Sequence, residues 1–124
     1  MPDTNYQIAF EDRGGYLFVH LTGTDSFAAS LSYWHEIADK ADELGQYRVL
    51  VHEALEGQVS EAEMFDIMND VVPSGLGVRI AFYDENQDNA QVNELGQLIA
   101  ENRGAIIKIF GTLTDAERWL LSDV

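Results

Sequence analysis

Short runs with the two-residue period of a strand alternate along this chain with stripes at helical spacing, and that alternation leaves few folds open to it. Residues 6–10 and 16–22 read as strands joined through Glu11-Asp12-Arg13-Gly14-Gly15, where the glycine pair supplies the positive φ of a hairpin connection. The second run is apolar on both parities, as a central strand covered on two faces would be. Asp25 or Ser26 is then placed to cap a helix whose stripe is Phe27, Leu31, Trp34, Ala38 and Ala41, and Gly45 to end it. Residues 47–52 form a third apolar run. Ser60-Glu61-Ala62-Glu63 is a capping box opening a second helix, with Met64, Phe65, Met68, Val71 and Val72 inward and Pro73 as its stop. A fourth strand is expected over 76–83 and a polar loop over 84–89. A third helix follows, capped by Asn89, striped by Val92, Leu95, Leu98 and Ile99, and ending near Gly104. A fifth strand covers 105–110. Thr114-Asp115-Ala116-Glu117 reads as a second capping box, opening a short last helix that carries Trp119 and Leu120.

The expected order is β-β-α-β-α-β-α-β-α. It implies an α/β domain with a mixed, mostly parallel five-stranded sheet, four helices and right-handed crossovers, the opening hairpin supplying the antiparallel edge. With 124 residues, 46% of them hydrophobic, the chain can bury one core and is read as a single domain over 1–124. It has no cysteine, which excludes disulfides, thiolate catalysis and cysteine-ligated metals. Seven basic residues stand against 22 acidic ones, a formal charge of −15, so neither nucleic acid nor an anionic lipid surface is an expected partner. No apolar run approaches the about 20 residues of a membrane span, so no membrane insertion is expected. Met1-Pro2-Asp3-Thr4-Asn5 has no basic start or apolar run, so no signal peptide is read and a cytoplasmic location is the expectation.

The motifs that suggest chemistry are incomplete. His35-Glu36-Ile37-Ala38-Asp39 lacks the second histidine of a zinc-protease helix. Asp84-Glu85-Asn86-Gln87-Asp88-Asn89 opens like a calcium loop but lacks its glycine and its bidentate glutamate. Gly75-Leu76-Gly77 precedes a strand, whereas a phosphate cradle follows one. No catalytic residues, metal site or cofactor are therefore expected. The remaining candidates are His20, His52, Arg79 and Lys108, which fall in or at the end of strands. Arg79 shares parity with Ala81 and Tyr83, and Lys108 with Ile106 and Phe110. Such cations could hold the acidic head of a ligand beside Trp34, Phe65 and Met68; ordinary pairing with acids and ordinary core packing are the alternatives.

The order over residues 6–122 is similar to that of the SpoIIAA-like family, which shares its architecture with STAS domains. The likeness is carried by residues 16–23, Arg48-Val49-Leu50-Val51, Arg79-Ile80-Ala81-Phe82, and Ile109-Phe110 followed by Ala116, Trp119 and Leu120. It implies a regulatory or protein-interaction domain without catalysis, and, through CRAL-TRIO-like relatives of the fold, a small amphipathic or acidic ligand between sheet and helices as the alternative. Antagonists of this type are switched by phosphorylation in an Asp-Ser-Ser-Gly-like loop. This chain has His52-Glu53-Ala54-Leu55-Glu56-Gly57-Gln58-Val59-Ser60 there, so only Ser60 is comparable, and its expected role is the helix cap. A protein partner is the corresponding expectation; Trp119 could also anchor self-association, with packing into its own core as the expected alternative.

Overall fold

A computed structural model describes residues 5–72 and 78–122. Its five strands are β1 (Tyr6–Asp12), β2 (Leu17–Thr24), β3 (Arg48–Glu56), β4 (Arg79–Asp84) and β5 (Ile106–Phe110). They lie in the spatial order β1-β2-β3-β4-β5, with β1 and β2 antiparallel and every other pair parallel. The helices are α1 (Phe27–Leu44), α2 (Glu61–Val71), α3 (Ala90–Asn102) and α4 (Leu113–Leu120), with a single 3-10 turn at Gln87–Asn89 before α3. This is the mixed sheet and element order that the periodicity predicts.

The strand order never reverses, so right-handed crossovers place α1, α2 and α3 on one face, where α2 packs against both α1 and α3. α4 follows the last strand and packs on β3, β4 and β5 from the other side. Parity sorts the side chains accordingly. Leu17, Val19, Leu21, Val49, Val51, Leu55 and Phe82 join the main core beneath α1–α3. Leu50 and Ala81 point the opposite way and are sealed by Tyr16, Ala116 and Leu120. The next row along that second face, His20, His52 and Tyr83, is only half-buried.

Local chemistry explains the boundaries. Ser26 caps α1, its side chain accepting the Ala29 amide, and Gly45 closes that helix at φ 66°. Ser60 and Glu63 form the expected capping box on α2. Thr112 caps α4 by accepting the Asp115 amide, so the helix starts two residues before the Thr114 box that the sequence suggests. Asn89 makes no cap bond and turns its side chain inward. The buried stripe of α1 runs through Ala29, Tyr33, Trp34, Ile37 and Ala41, so Leu31 and Ala38 flank it, while Phe65 and Leu98 are exposed. β3 continues four residues past His52, because β2 still offers it partners as far as Thr24 opposite Glu56. The expectations for Pro73, for the turn at 74–77 and for Leu76 as a strand residue fall outside the described residues. No helix of the described residues is long and apolar enough to cross a membrane.

Gly23 is required by close approach as well as by its backbone. Its φ is 110°, and a Cβ there would lie 2.3 Å from the Asn5 carbonyl oxygen and 2.8 Å from the Tyr6 Cα. Gly23→Ala should force β1 away from β2 at that end and lower stability by more than about 2 kcal/mol in urea unfolding. An unfolding midpoint equal to the parent's would contradict this.

Candidate functional site

The extension of β3 determines the most unusual chemistry in the molecule. Glu53 shares parity with Val49, Val51 and Leu55, so the added residues carry a carboxyl into the helix-covered face, where it is 3% exposed. Asp84, the last residue of β4, pairs in register with Glu53 and is 4% exposed. Asp25 lies immediately beyond the end of β2. Three acids thus stand at the carboxyl ends of three adjacent parallel strands, the edge at which open α/β sheets receive ligands.

Each acid is held by donors from the elements around it. Tyr33 of α1 donates through its hydroxyl to Glu53 Oε1 at 3.0 Å and lies 3.3 Å from Asp25 Oδ2. Asp25 Oδ1 accepts from the Ser30 hydroxyl at 2.7 Å and the Ser26 amide at 2.8 Å. Asp84 accepts from the Asn89 and Asn93 side-chain amides at 3.0 and 2.8 Å, and from the Asn86 amide at 2.9 Å. None of the ion pairs among the described residues includes these acids.

Burial without a cation sets the protonation. Removal from water pushes the Glu53 carboxyl well above the usual range, and the charges of Asp84 and Asp25 and a hydrogen bond to Asp84 add to it. The protonated form of Glu53 is favoured relative to that of an exposed glutamate. Burial also raises Asp25, although bonds from Ser30, the Ser26 amide and Tyr33 oppose the shift. Burial first, then the charges of Glu53 and Asp25, holds the Tyr33 phenol well above 10, so it stays a donor.

Asp25, Glu53 and Tyr33 border a cavity of about 30 Å³ whose apolar wall includes Trp34, Met64, Met68 and Phe82. That is room for a water or a small polar head group. Asn89 also lines it; the residue is 4% exposed and its Oδ1 has no hydrogen-bond partner. A second cavity, of about 40 Å³, lies on the far side of Trp34 and Met68 and is lined by apolar residues such as Ile37, Val71 and Ile80.

The structure separates the residues that the sequence suggested for one site. Arg79 and Lys108 share a sheet face through the register of β4 with β5, which parity alone does not give, but it is the α4 face, and the sheet stands between them and Trp34. Arg79 Nη2 donates to the Trp119 carbonyl at 2.6 Å and to the Ser122 hydroxyl at 3.1 Å, and its guanidinium lies 4.1 Å from the Trp119 ring centre. It anchors the end of α4. The same stacking and the 5.5 Å contact with Phe110 pack Trp119 within its own chain. Lys108 is exposed, its ammonium 5.6 Å from the Phe110 ring. Neither cation reaches the cavity beside Trp34, which instead stacks on Phe82 at 6.0 Å. Phe65 points outward. His20 lies across β2–β3 from His52, ring centres 4.6 Å apart, and His52 Nε2 is 2.5 Å from Glu85 Oε2. Ser60 accepts the Glu63 amide at 3.1 Å, the cap expected of it. His35 meets Asp70 at the surface at 2.7 Å, and the calcium-like run instead turns Asp84 inward while Asn86 caps the 3-10 turn.

The acids were visible in the sequence as charged residues just beyond three predicted strands, but their shared face was hidden until the length of β3 was known. In comparisons with known proteins, no family model matches the chain and no characterised protein matches its sequence.

The raised Glu53 carboxyl has a definite sign in stability. Between its ordinary value of 4.5 and the raised one, the folded chain holds a proton that the unfolded chain has released, so stability falls as pH rises through that window. As pH rises above about 5, the parent's Tm should fall more steeply than that of Glu53→Gln, whose amide can still donate to Asp84. General repulsion in a chain of charge −15 acts on both proteins, so the difference in slope isolates Glu53. Parallel slopes would show that Glu53 is ionised.

Proposed function

We propose that this chain is a non-catalytic binding domain whose pocket, between the sheet and α1–α3, takes a small amphipathic amine. The observation that carries this reading is a pair of acids, Asp25 and the buried Glu53, that make no ion pair among the described residues and face a cavity together with an unpartnered carbonyl oxygen on Asn89. An ammonium head satisfies all of these at once: it donates to Asp25, Glu53 and Asn89 and replaces the proton that burial favours on Glu53. An acidic head would add a like charge to a buried cluster and lose the basic partner that Arg79 or Lys108 was expected to supply. Trp34 and Met68, shared by both cavities, offer a path for an apolar tail, and Met64 and Met68 are side chains that adapt to irregular shapes. The small cavity volumes favour a ligand of few carbon atoms.

The resemblance to SpoIIAA-like domains read from the sequence favours a regulatory rather than a catalytic role. In a chain without the phosphorylatable loop, an occupied pocket would be the chemical input to such a regulator. The saturated hydrogen bonding of Asp25, Tyr33 and Asp84 also suits holding a ligand more than turning one over.

Calorimetry with a series of short n-alkylamines, set against n-alkylcarboxylates of equal length, tests the polarity. Amines should bind one per chain with release of a proton, and Asp25→Asn should weaken them at least about tenfold, the loss of one charge-assisted bond. Equal binding of the carboxylates would reverse the reading. Binding of neither series would remove the pocket and leave a protein partner as the input.

A further inference from the structure

We propose that His20, His52 and Glu85 form a binding site for a divalent transition-metal ion on the sheet face opposite the acidic pocket. The register builds this site from separate strands. His20 of β2 lies directly opposite His52 of β3, and the ladder continues one residue past β4, the Glu85 amide donating to the Glu53 carbonyl at 2.9 Å. That bond fixes the backbone of Glu85, whose parity with Tyr83 puts its carboxylate on the histidine side. Among the described residues, these are the ones whose ligating atoms come together, all within 4.8 Å of one another.

The geometry is close to what an ion requires. Donors around a tetrahedral zinc ion with bonds of about 2.0–2.1 Å lie about 3.3 Å apart. His52 and Glu85, now 2.5 Å apart, must separate slightly, and the Glu85 side chain, 51% exposed, is free to do so. The imidazoles are the fixed part. His52 has a side-chain exposure of 14% and lies between the His20 ring at 4.6 Å and the Tyr83 ring at 5.1 Å, with Phe18 6.3 Å away. The His20 ring is half-buried in ring contacts and makes no hydrogen bond to any described residue, so its nitrogens have capacity that the protein leaves unused.

The donor set chooses the ion. Two imidazoles and one carboxylate favour zinc, cobalt, nickel or copper over magnesium and calcium, which take oxygen ligands. With three protein ligands, further coordination positions stay open toward solvent. The strongly negative field of the chain raises the local concentration of cations. α4 covers Leu50 and Ala81 but leaves this row half-exposed, so an ion has a way in.

The test uses the untagged full chain with Co²⁺ and Zn²⁺ alone. One equivalent of Co²⁺ should produce a visible absorption band that Zn²⁺ displaces, and His20→Ala, His52→Ala and Glu85→Gln should each weaken binding at least about tenfold. Far-UV circular dichroism identifies any variant that fails to fold. Independently of variants, one equivalent of Zn²⁺ should shift the ring resonances of His20 and His52 in the parent protein and leave those of His35 on α1, paired with Asp70 of α2, in place. Absence of a Co²⁺ band, affinity unchanged in a folded His20→Ala/His52→Ala double variant, or an equal shift at His35 would each overturn the proposal.

Discussion

The parallel register of β2, β3 and β4 is the constraint on which the rest of this molecule depends. One row of it, Leu21–Glu53–Asp84, points beneath α1–α3; the neighbouring row, His20–His52–Tyr83, points the other way. Side chains alternate strictly along a strand, so a slip of one residue in β3 would exchange the two rows. It would put His52 in the core and Glu53 among the aromatic rings. The aliphatic residues before them prevent that slip. Val49 and Val51 are fully buried on one side and Leu50 on the other, and all three would have to move with the register. Packing in the first half of the strand thus fixes chemistry in the second half.

The two faces handle polar groups in different ways. Beneath the helices, no ion pair among the described residues reaches the acids, so burial raises the Glu53 carboxyl while hydroxyl and amide donors surround Asp25 and Asp84. Burying an unpaired carboxylate costs far more than burying its acid form, and neutralisation is the ordinary outcome. On the α4 side the polar groups are basic or amphoteric and partly wet. Arg79 spends its donors on the end of α4, while the histidines remain beside a surface glutamate. A chain this acidic would be expected to use its few cations to offset buried acids, yet it places Arg79 and Lys108 on the far side of the sheet from them.

Much of the architecture was legible because it depends on periodicity, which is a local property. The hairpin with Gly14 at φ 82°, the Ser60 capping box and the Gly45 stop all rest on residues within a few positions of one another. What escaped depends on neighbours distant in sequence. Glu53, Ala54, Leu55 and Glu56 read as loop because their composition is mixed, and only β2 alongside makes them strand. The inward turn of α1 falls on Tyr33 and Ile37, because the tyrosine hydroxyl finds carboxyls to bond, which outweighs the simpler apolar stripe through Leu31 and Ala38. That Arg79 and Lys108 share a face follows only from the register of β4 with β5, and parity cannot say which helices cover a face. His20, His52 and Glu85 are separated by more than 30 residues at each step, the second by the 33 positions between His52 and Glu85, so no spacing rule joins them.

A sheet wound in a single direction has a further consequence. Doubly wound α/β sheets reverse their strand order once, and the helices on either side of that reversal diverge to leave a crevice. Here the order runs from β1 to β5 without reversal, and α1, α2 and α3 adjoin one another as a roof over the carboxyl edge. Asp25 is partly exposed at the rim, but a molecule reaching the buried Glu53 has to displace side chains beneath helices that are already packed. Exchange kinetics would then be governed by the frequency with which the roof opens rather than by diffusion, and a compound of modest affinity could still have a long residence time.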